Sequence, residues 1–110
     1  MKKKKTNSLP TITEKEFMDE VVETAQLGGW LVYHTHDSRR SQAGFPDLVM
    51  VRSGRVIFAE LKAEKGRIRP EQQMWLDELM KSDAVETFLW RPSDSETMQK
   101  TLLGQRLLAQ

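Results

Sequence analysis

The chain has 110 residues, 38% of them hydrophobic, enough for one ordinary domain with a single core and no need of covalent staples. It contains no cysteine, which excludes disulfides, thiolate zinc sites and cysteine nucleophiles and is compatible with a reducing compartment. Seventeen basic against sixteen acidic residues leave a formal net charge of +1, so any surface for a polyanion must be local.

Residues 1–10 begin "MKKKK" and continue with polar "TNS". Blocks of like charge stay solvated, so this stretch reads as a disordered basic tail, with a DNA-touching arm as the alternative. No apolar run approaches the roughly 18 residues of a membrane span, and no apolar segment follows the basic start as it does in a signal peptide. The expectation is a soluble, cytoplasmic protein without membrane contact. Next, "TITEKEFMDEVVETAQLGG" has helical apolar spacing at Phe17, Val21 and Ala25, with Met18 and Val22 beside them, and ends in a Gly-Gly stop. Thr11 with Glu14, or equally Thr13 with Glu16, fits a capping box at its start. At about 100° per residue the apolar stripe centres near Glu14, whereas Glu16, Glu20 and Glu23 point away.

"WLVYHTH" reads as a strand, rich in β-branched and aromatic residues. A polar loop, "DSRRSQAGFP", leads to strand "DLVMV", a turn at "RSG" and strand "RVIFAELK". The charged loop "AEKGRIR" precedes a helix opened by Pro70, with Met74, Trp75, Leu79 and Met80 as packing candidates. "VETFLW" is the last strand, and Ser93 with Glu96 fits a capping box for a terminal helix of polar character. The order is αβββαβα, a single α/β domain over residues 11–110, whose βαβ unit sets the final strand parallel to the one carrying Glu60.

Three charged residues, Asp47, Glu60 and Lys62, sit among apolar strand positions. Alternation puts Glu60 and Lys62 on one face and Leu61 on the other, and the "RSG" turn lets Asp47 approach Glu60 at one end of the paired strands, depending on register. Converging carboxylates repel unless a positive charge lies between them, and a divalent cation prefers such hard oxygens. Glu14 is the acidic residue of the first helix that faces inward and offers a third oxygen ligand, unless it only caps the helix. A lysine ammonium at Lys62 can hold an attacking water, lower its pKa or stabilise charge on a phosphoryl oxygen, although a lone E-x-K is by itself a common surface ion pair.

Basic residues flank this hairpin: Arg39 and Arg40 before it, then Lys65, Arg67 and Arg69 after it. Guanidinium forks there suit a phosphodiester backbone, with a solvated loop as the competing account. His34 and His36 share a strand face at a spacing that suits imidazole ligands, but hard-cation phosphodiester chemistry does not require them, and such pairs are more often surface or core residues. Trp30, Trp75 and Trp90 read as core or rim packing rather than base-stacking platforms.

The chain resembles the virus-type replication-repair nuclease (VRR-NUC) domain, a branch of the PD-(D/E)xK nuclease superfamily, in "GFPDLVMV", "RVIFAELKAEKGR", "PEQQMWLDEL" and "LWRP". The resemblance runs from about Glu14 to Pro92, with the motifs in the family's order and spacing. It implies a restriction-endonuclease-like αβββαβ core with a mixed central sheet flanked by helices. It also implies that Asp47 and Glu60 bind Mg²⁺ or Mn²⁺, with the carbonyl of Leu61 as a further ligand and Glu14 as the matching acidic residue of the first helix. Lys62 and Gln72, the glutamine opening the second helix, match the family's remaining catalytic positions; Gln72 is otherwise a simple helix N-terminal residue. One departure is Arg69, where relatives often carry a small hydroxyl residue that caps the helix; an arginine there can instead meet a phosphate.

The function so implied is a Mg²⁺- or Mn²⁺-dependent endonuclease hydrolysing DNA phosphodiester bonds. Stand-alone members of the family look like structure-specific nucleases that act on branched DNA as homodimers, which makes a four-way (Holliday) junction the leading substrate. The compact, stand-alone form suggests a bacterial or phage-infected cell. Flaps or plain duplex are alternative substrates. A non-catalytic nucleic-acid-binding module of the same fold, or a structural subunit whose charges make ion pairs, are the rival readings.

Overall fold

In a computed structural model, which describes residues 11–35 and 40–104, the chain follows the expected αβββαβα order. The elements are α1 (Glu14–Leu27), β1 (Leu31–His34), β2 (Leu48–Arg52), β3 (Arg55–Leu61), α2 (Pro70–Met80), β4 (Glu86–Trp90), a 3₁₀ turn (Pro92–Asp94) and α3 (Ser95–Leu103). The basic tail of residues 1–10, with His36 and Arg39 of the first loop, lies outside the described residues. Among the described residues no helix is long and apolar enough to cross a membrane.

Of the two possible caps, α1 uses Thr13 and Glu16: the Glu16 N–H donates to Thr13 Oγ1 at 3.0 Å, and the Thr13 N–H donates to Glu16 Oε1 at 2.9 Å. Phe17, Val21 and Ala25 form its fully buried stripe, with Met18 and Val22 packed beside it. Glu20, expected to point into solvent, is instead partly buried and accepts a hydrogen bond from Ser95 Oγ of α3.

The four strands lie in the order β1-β2-β3-β4, antiparallel except for the parallel β3–β4 pair, so the sheet is mixed as anticipated. Ser53 (φ 50°) and Gly54 (φ 81°) make the two-residue β2–β3 turn, both in the left-handed region that a hairpin of this length requires. Alternation then sorts the side chains. Leu48, Met50, Ile57, Ala59 and Leu61 enter one core cluster with the α1 stripe and with Met98 and Leu102 of α3. Trp30 closes one end of this layer, donating from Nε1 to the Leu102 carbonyl at 2.8 Å, and its ring lies 4.9 Å beneath the Arg55 guanidinium. Arg55 in turn pairs bidentately with Glu86 across the β3–β4 start, at 2.7 and 2.8 Å.

Phe58 and Glu60 belong to the opposite face, which the Gly44–Pro46 segment and α2 cover. Phe45 stands edge-on between Phe58 and Trp75, with centroids 6.0 and 5.1 Å away, and Trp75 Nε1 donates to the Ala43 carbonyl at 3.2 Å. The inward stripe of α2 differs from expectation. Gln72 and Leu76 are its buried residues, Trp75 and Leu79 are half-buried, and Met74 and Met80 are 68% and 54% exposed. The inward face is the row of Gln72, Trp75, Leu76 and Leu79, in which Gln72 takes a polar place through its hydrogen bond to Glu60 while Met74 and Met80 turn outward. The C-terminal helix also departs. Its cap position is Asp94 rather than Ser93, no side chain caps it, the Ser93 N–H donates to Glu64 Oε1 at 2.9 Å, and Met98 and Leu102 give it a buried apolar row.

Gly44 fixes how closely this second layer can sit. Its φ is 94°, and a Cβ there would strike the backbone carbonyl of Glu71 and come within 2.9 Å of the Gln72 nitrogen. Gly44→Ala is therefore expected to lower unfolding free energy by more than about 2 kcal/mol, combining left-handed strain with backbone overlap. Gly54→Ala, at positive φ but in open space, is expected to lose only about 1 kcal/mol. Urea denaturation of the two variants beside wild type measures the difference.

Candidate functional site

The β2–β3 ladder runs from Arg52↔Arg55 to Leu48↔Ala59, and one further step sets Asp47 opposite Glu60 on the face that α2 covers. Asp47 is half-buried, and its Oδ2 accepts the backbone N–H of Leu61 at 2.8 Å. Glu60 is 1% exposed. Its Oε2 accepts Gln72 Nε2 at 2.8 Å, and Lys62 Nζ stands 4.0 Å from the same oxygen. Its Oε1 is buried with no hydrogen-bond partner. The structure thus brings together Asp47, Glu60, Lys62 and Gln72, which lie far apart in the sequence.

Gln72 joins two elements. Its Oε1 accepts the Arg69 N–H at 2.9 Å while its Nε2 holds Glu60, so one amide closes the N-terminus of α2 and orients the carboxylate. An arginine side chain has no acceptor to cap with, and Gln72 at the third helical position supplies only the reverse half of a capping box, accepting the Arg69 N–H.

The electrostatics are those of a crowded acidic site. Burial, followed by the charge of Asp47, pushes Glu60 up to about 8; Glu14 adds to the rise, and Lys62 opposes it. Burial also raises Asp47, against the Leu61 N–H, Lys62, Glu60 and Arg69, all of which favour its charged form. A buried, partnerless oxygen beside a second carboxylate is the donor chemistry of a hard divalent cation, and the residues present fit one.

Other expected residues stand at varying remove. Leu61 ends β3 with its side chain in the core, which leaves only its backbone for the site. Glu14 is exposed at the first turn of α1, takes no part in the cap, and reaches Glu60 through its charge. Among the described residues no group of three His, Cys, Asp or Glu side chains converges as a ready ligand cluster, so Glu14 does not join the two carboxylates directly, and half-buried His34 belongs to no such group. Arg40, Lys65, Arg67 and Arg69 are exposed, whereas Arg39 lies outside the described residues.

Arg91 was not anticipated. From the end of β4 its Nη1 donates to the carbonyls of Ala63, Glu64 and Gly66, at 2.9, 3.1 and 2.7 Å. It thereby pins the loop that carries Lys65 and Arg67 and follows directly from Lys62. The signal available in the sequence was an arginine between a strand end and a proline, in "LWRP", where an extended chain has already spent its ladder bonds. A cavity of about 640 Å³ also opens beside Asp47, walled by β1, the 41–46 segment and the start of α2.

Comparison with known proteins agrees with this layout. The VRR-NUC domain family model matches residues 3–90. A solved structure described as a VRR_NUC domain protein aligns with a TM-score of 0.56 and 18% identity, over 83% of this chain and 88% of that one, a likeness of fold. No curated protein matches the chain.

The raised Glu60 has a sign that titration can check. With its carboxyl near 8 in the folded protein against 4.5 ordinarily, the native state holds the proton more tightly. This contribution is full below about pH 4.5 and is lost as pH rises through 8. In chelator, thermal unfolding is expected at falling temperature from pH 5 to pH 8. Glu60→Gln keeps an acceptor for Gln72 and removes the buried charge, so it should flatten that slope and melt about 5 °C or more above wild type at pH 8. A wild-type melting temperature that rises over this range would contradict the charge crowding.

Proposed function

The chain belongs to the VRR-NUC domain family, a PD-(D/E)xK-type nuclease family, and from that premise we propose that it is a metal-dependent, structure-specific endonuclease hydrolysing phosphodiester bonds in branched DNA, four-way junctions foremost. The observation that carries the reading is Glu60, a carboxylate 1% exposed whose Oε1 has no partner, set beside Asp47 and 4.0 Å from Lys62. A buried carboxylate oxygen without a partner calls for one from outside the chain, and a cation supplies it.

Asp47, Glu60 and the Leu61 carbonyl would hold Mg²⁺ or Mn²⁺, with Glu14 as the outer acidic residue. When bound, such an ion supplies water activation and neutralisation of charge on the scissile phosphate. The protein's own groups do the rest. Lys62 presents an ammonium, 9% exposed and therefore strong in its electrostatic effect, where an attacking water or a phosphoryl oxygen must lie. Gln72 fixes the rotamer of Glu60, so the carboxylate need not reorganise as charge develops. Arg69 at the mouth and Lys65 and Arg67 on the pinned loop, with Arg39 and Arg40 before β2, supply local positive charge for the DNA backbone, which a net charge of +1 does not provide globally. A homodimer suits the substrate, because two-fold symmetry presents paired sites to two strands of a junction.

Cleavage of an end-labelled four-way junction, beside linear duplex and flap controls, tests the reading. Wild type is expected to nick the junction symmetrically in Mg²⁺ or Mn²⁺ and not in chelator. Lys62→Ala should lower kcat about 10²–10³-fold with the fold intact, and Glu60→Ala should abolish cleavage. Intact cleavage by Glu60→Ala would refute the site, and equal cutting of duplex and junction would refute the branched substrate.

A further inference from the structure

Beside the carboxylates lies a cavity whose chemistry differs from theirs. Its volume is about 640 Å³, within the range of about 300–1,000 Å³ that encloses a small ligand. Asp47 stands at one edge with Arg69; the walls are otherwise Tyr33, Phe45 and Trp75, with polar groups such as Gln42 between them. Among the described residues, those that line it include two charged ones, Asp47 and Arg69. A groove built to track successive phosphates would be lined with cations. Aromatic rings interleaved with an amide and hydroxyls are instead the surroundings of a nucleobase.

Two of the rings are fixed. Trp75 is held by its hydrogen bond to the Ala43 carbonyl and by the edge of Phe45, which itself leans on Phe58, so these form a rigid wall. Tyr33, on the edge strand β1, is 59% exposed and lines the same cavity. The cavity has room for a single nucleotide. Resting on the nuclease reading, we propose that this cavity receives one unstacked nucleobase next to the scissile phosphate, with Tyr33 as its stacking partner and Gln42 facing its polar edge. Selection for branched DNA follows. A base inside continuous duplex must break its pairing and stacking to enter, whereas one at a branch point is already partly released.

The test needs binding, not turnover. Junctions carrying 5-iododeoxyuridine at each nucleotide around the mapped cut are bound to the full chain with Ca²⁺ and irradiated, and the cross-linked peptide is sequenced. Expected is one dominant position, cross-linked to Tyr33 or Trp75. Tyr33→Phe should retain it. Tyr33→Ala should lose it and reduce the junction-to-duplex affinity ratio roughly tenfold, the effect of losing one stacked base. Cross-links spread evenly along the strand or mapping away from the cavity, or an unchanged affinity ratio in Tyr33→Ala, would overturn the assignment. Cleavage by wild type in Mg²⁺ or Mn²⁺ is measured in parallel. Cutting with a cross-link elsewhere removes the pocket and spares the nuclease; a cavity cross-link without cutting under either metal does the reverse.

Discussion

A carboxylate withdrawn from water and set against another carboxylate must be compensated or protonated, and Glu60 is neither fully paired nor solvated. Gln72 satisfies one of its oxygens, Lys62 stands at the limit of an ion pair, and the second oxygen has no well-formed hydrogen bond among the described residues, the nearest help coming from the Asp47 backbone. Leaving such a group unmade forfeits hydrogen bonding that water would have supplied. The surrounding fold therefore has to hold Glu60 in place, and much of its local construction can be understood as doing so.

The hold is exerted from three directions. From the sheet, the β2–β3 register sets Asp47 opposite, and the Leu61 N–H keeps that second carboxylate turned inward. From α2, Gln72 grips Glu60 while closing its own helix end. That grip depends on how near α2 can lie, which Gly44 permits by having no side chain where the Glu71 carbonyl passes. From β4, Arg91 gathers three carbonyls of the 63–66 loop, so the chain leaving Lys62 is fixed immediately after it. Each contact is local, yet together they over-determine one rotamer, which is how a site is kept within the tolerance that chemistry demands.

Periodic and local features were legible in the sequence, and long-range polar contacts were not. Phe17, Val21 and Ala25 recur at helical spacing because one helix face meets one core, and the hairpin that carries Asp47 and Glu60 was readable from alternation and a two-residue turn. Asp47, Glu60, Lys62 and Gln72 were all named from motif and resemblance, and they do meet. Of the packing candidates on α2, Trp75 and Leu79 turn inward beside Leu76, while Met74 and Met80 do not, because four apolar residues there span more than one face and buried Gln72 takes a place on the inner one. Ser93 looked like a cap, but its N–H is taken by Glu64, a residue brought near only by the tertiary fold. Arg91 and Gly44 act on backbone atoms distant in sequence, and no spacing rule encodes which carbonyls will pass close by.

The repulsion within the acidic pair has a thermodynamic consequence. Crowding that raises Glu60 in the absence of a cation is, by linkage, affinity for whatever positive charge relieves it, because a ligand that favours the folded state returns the difference as stability. The site can stay poised this way because the opposing face of the sheet carries a continuous apolar cluster from α1 to α3, which secures β2 and β3 independently of what their other face contains. Division of labour between the two faces lets Asp47 and Glu60 stand opposite one another without touching the core. Leu48, Met50, Ile57, Ala59 and Leu61 all point to the core, and replacing Glu60 on the opposite face by the isosteric glutamine relieves repulsion while filling the same buried volume. Stability and chemistry are thereby written on alternate residues of the same two strands.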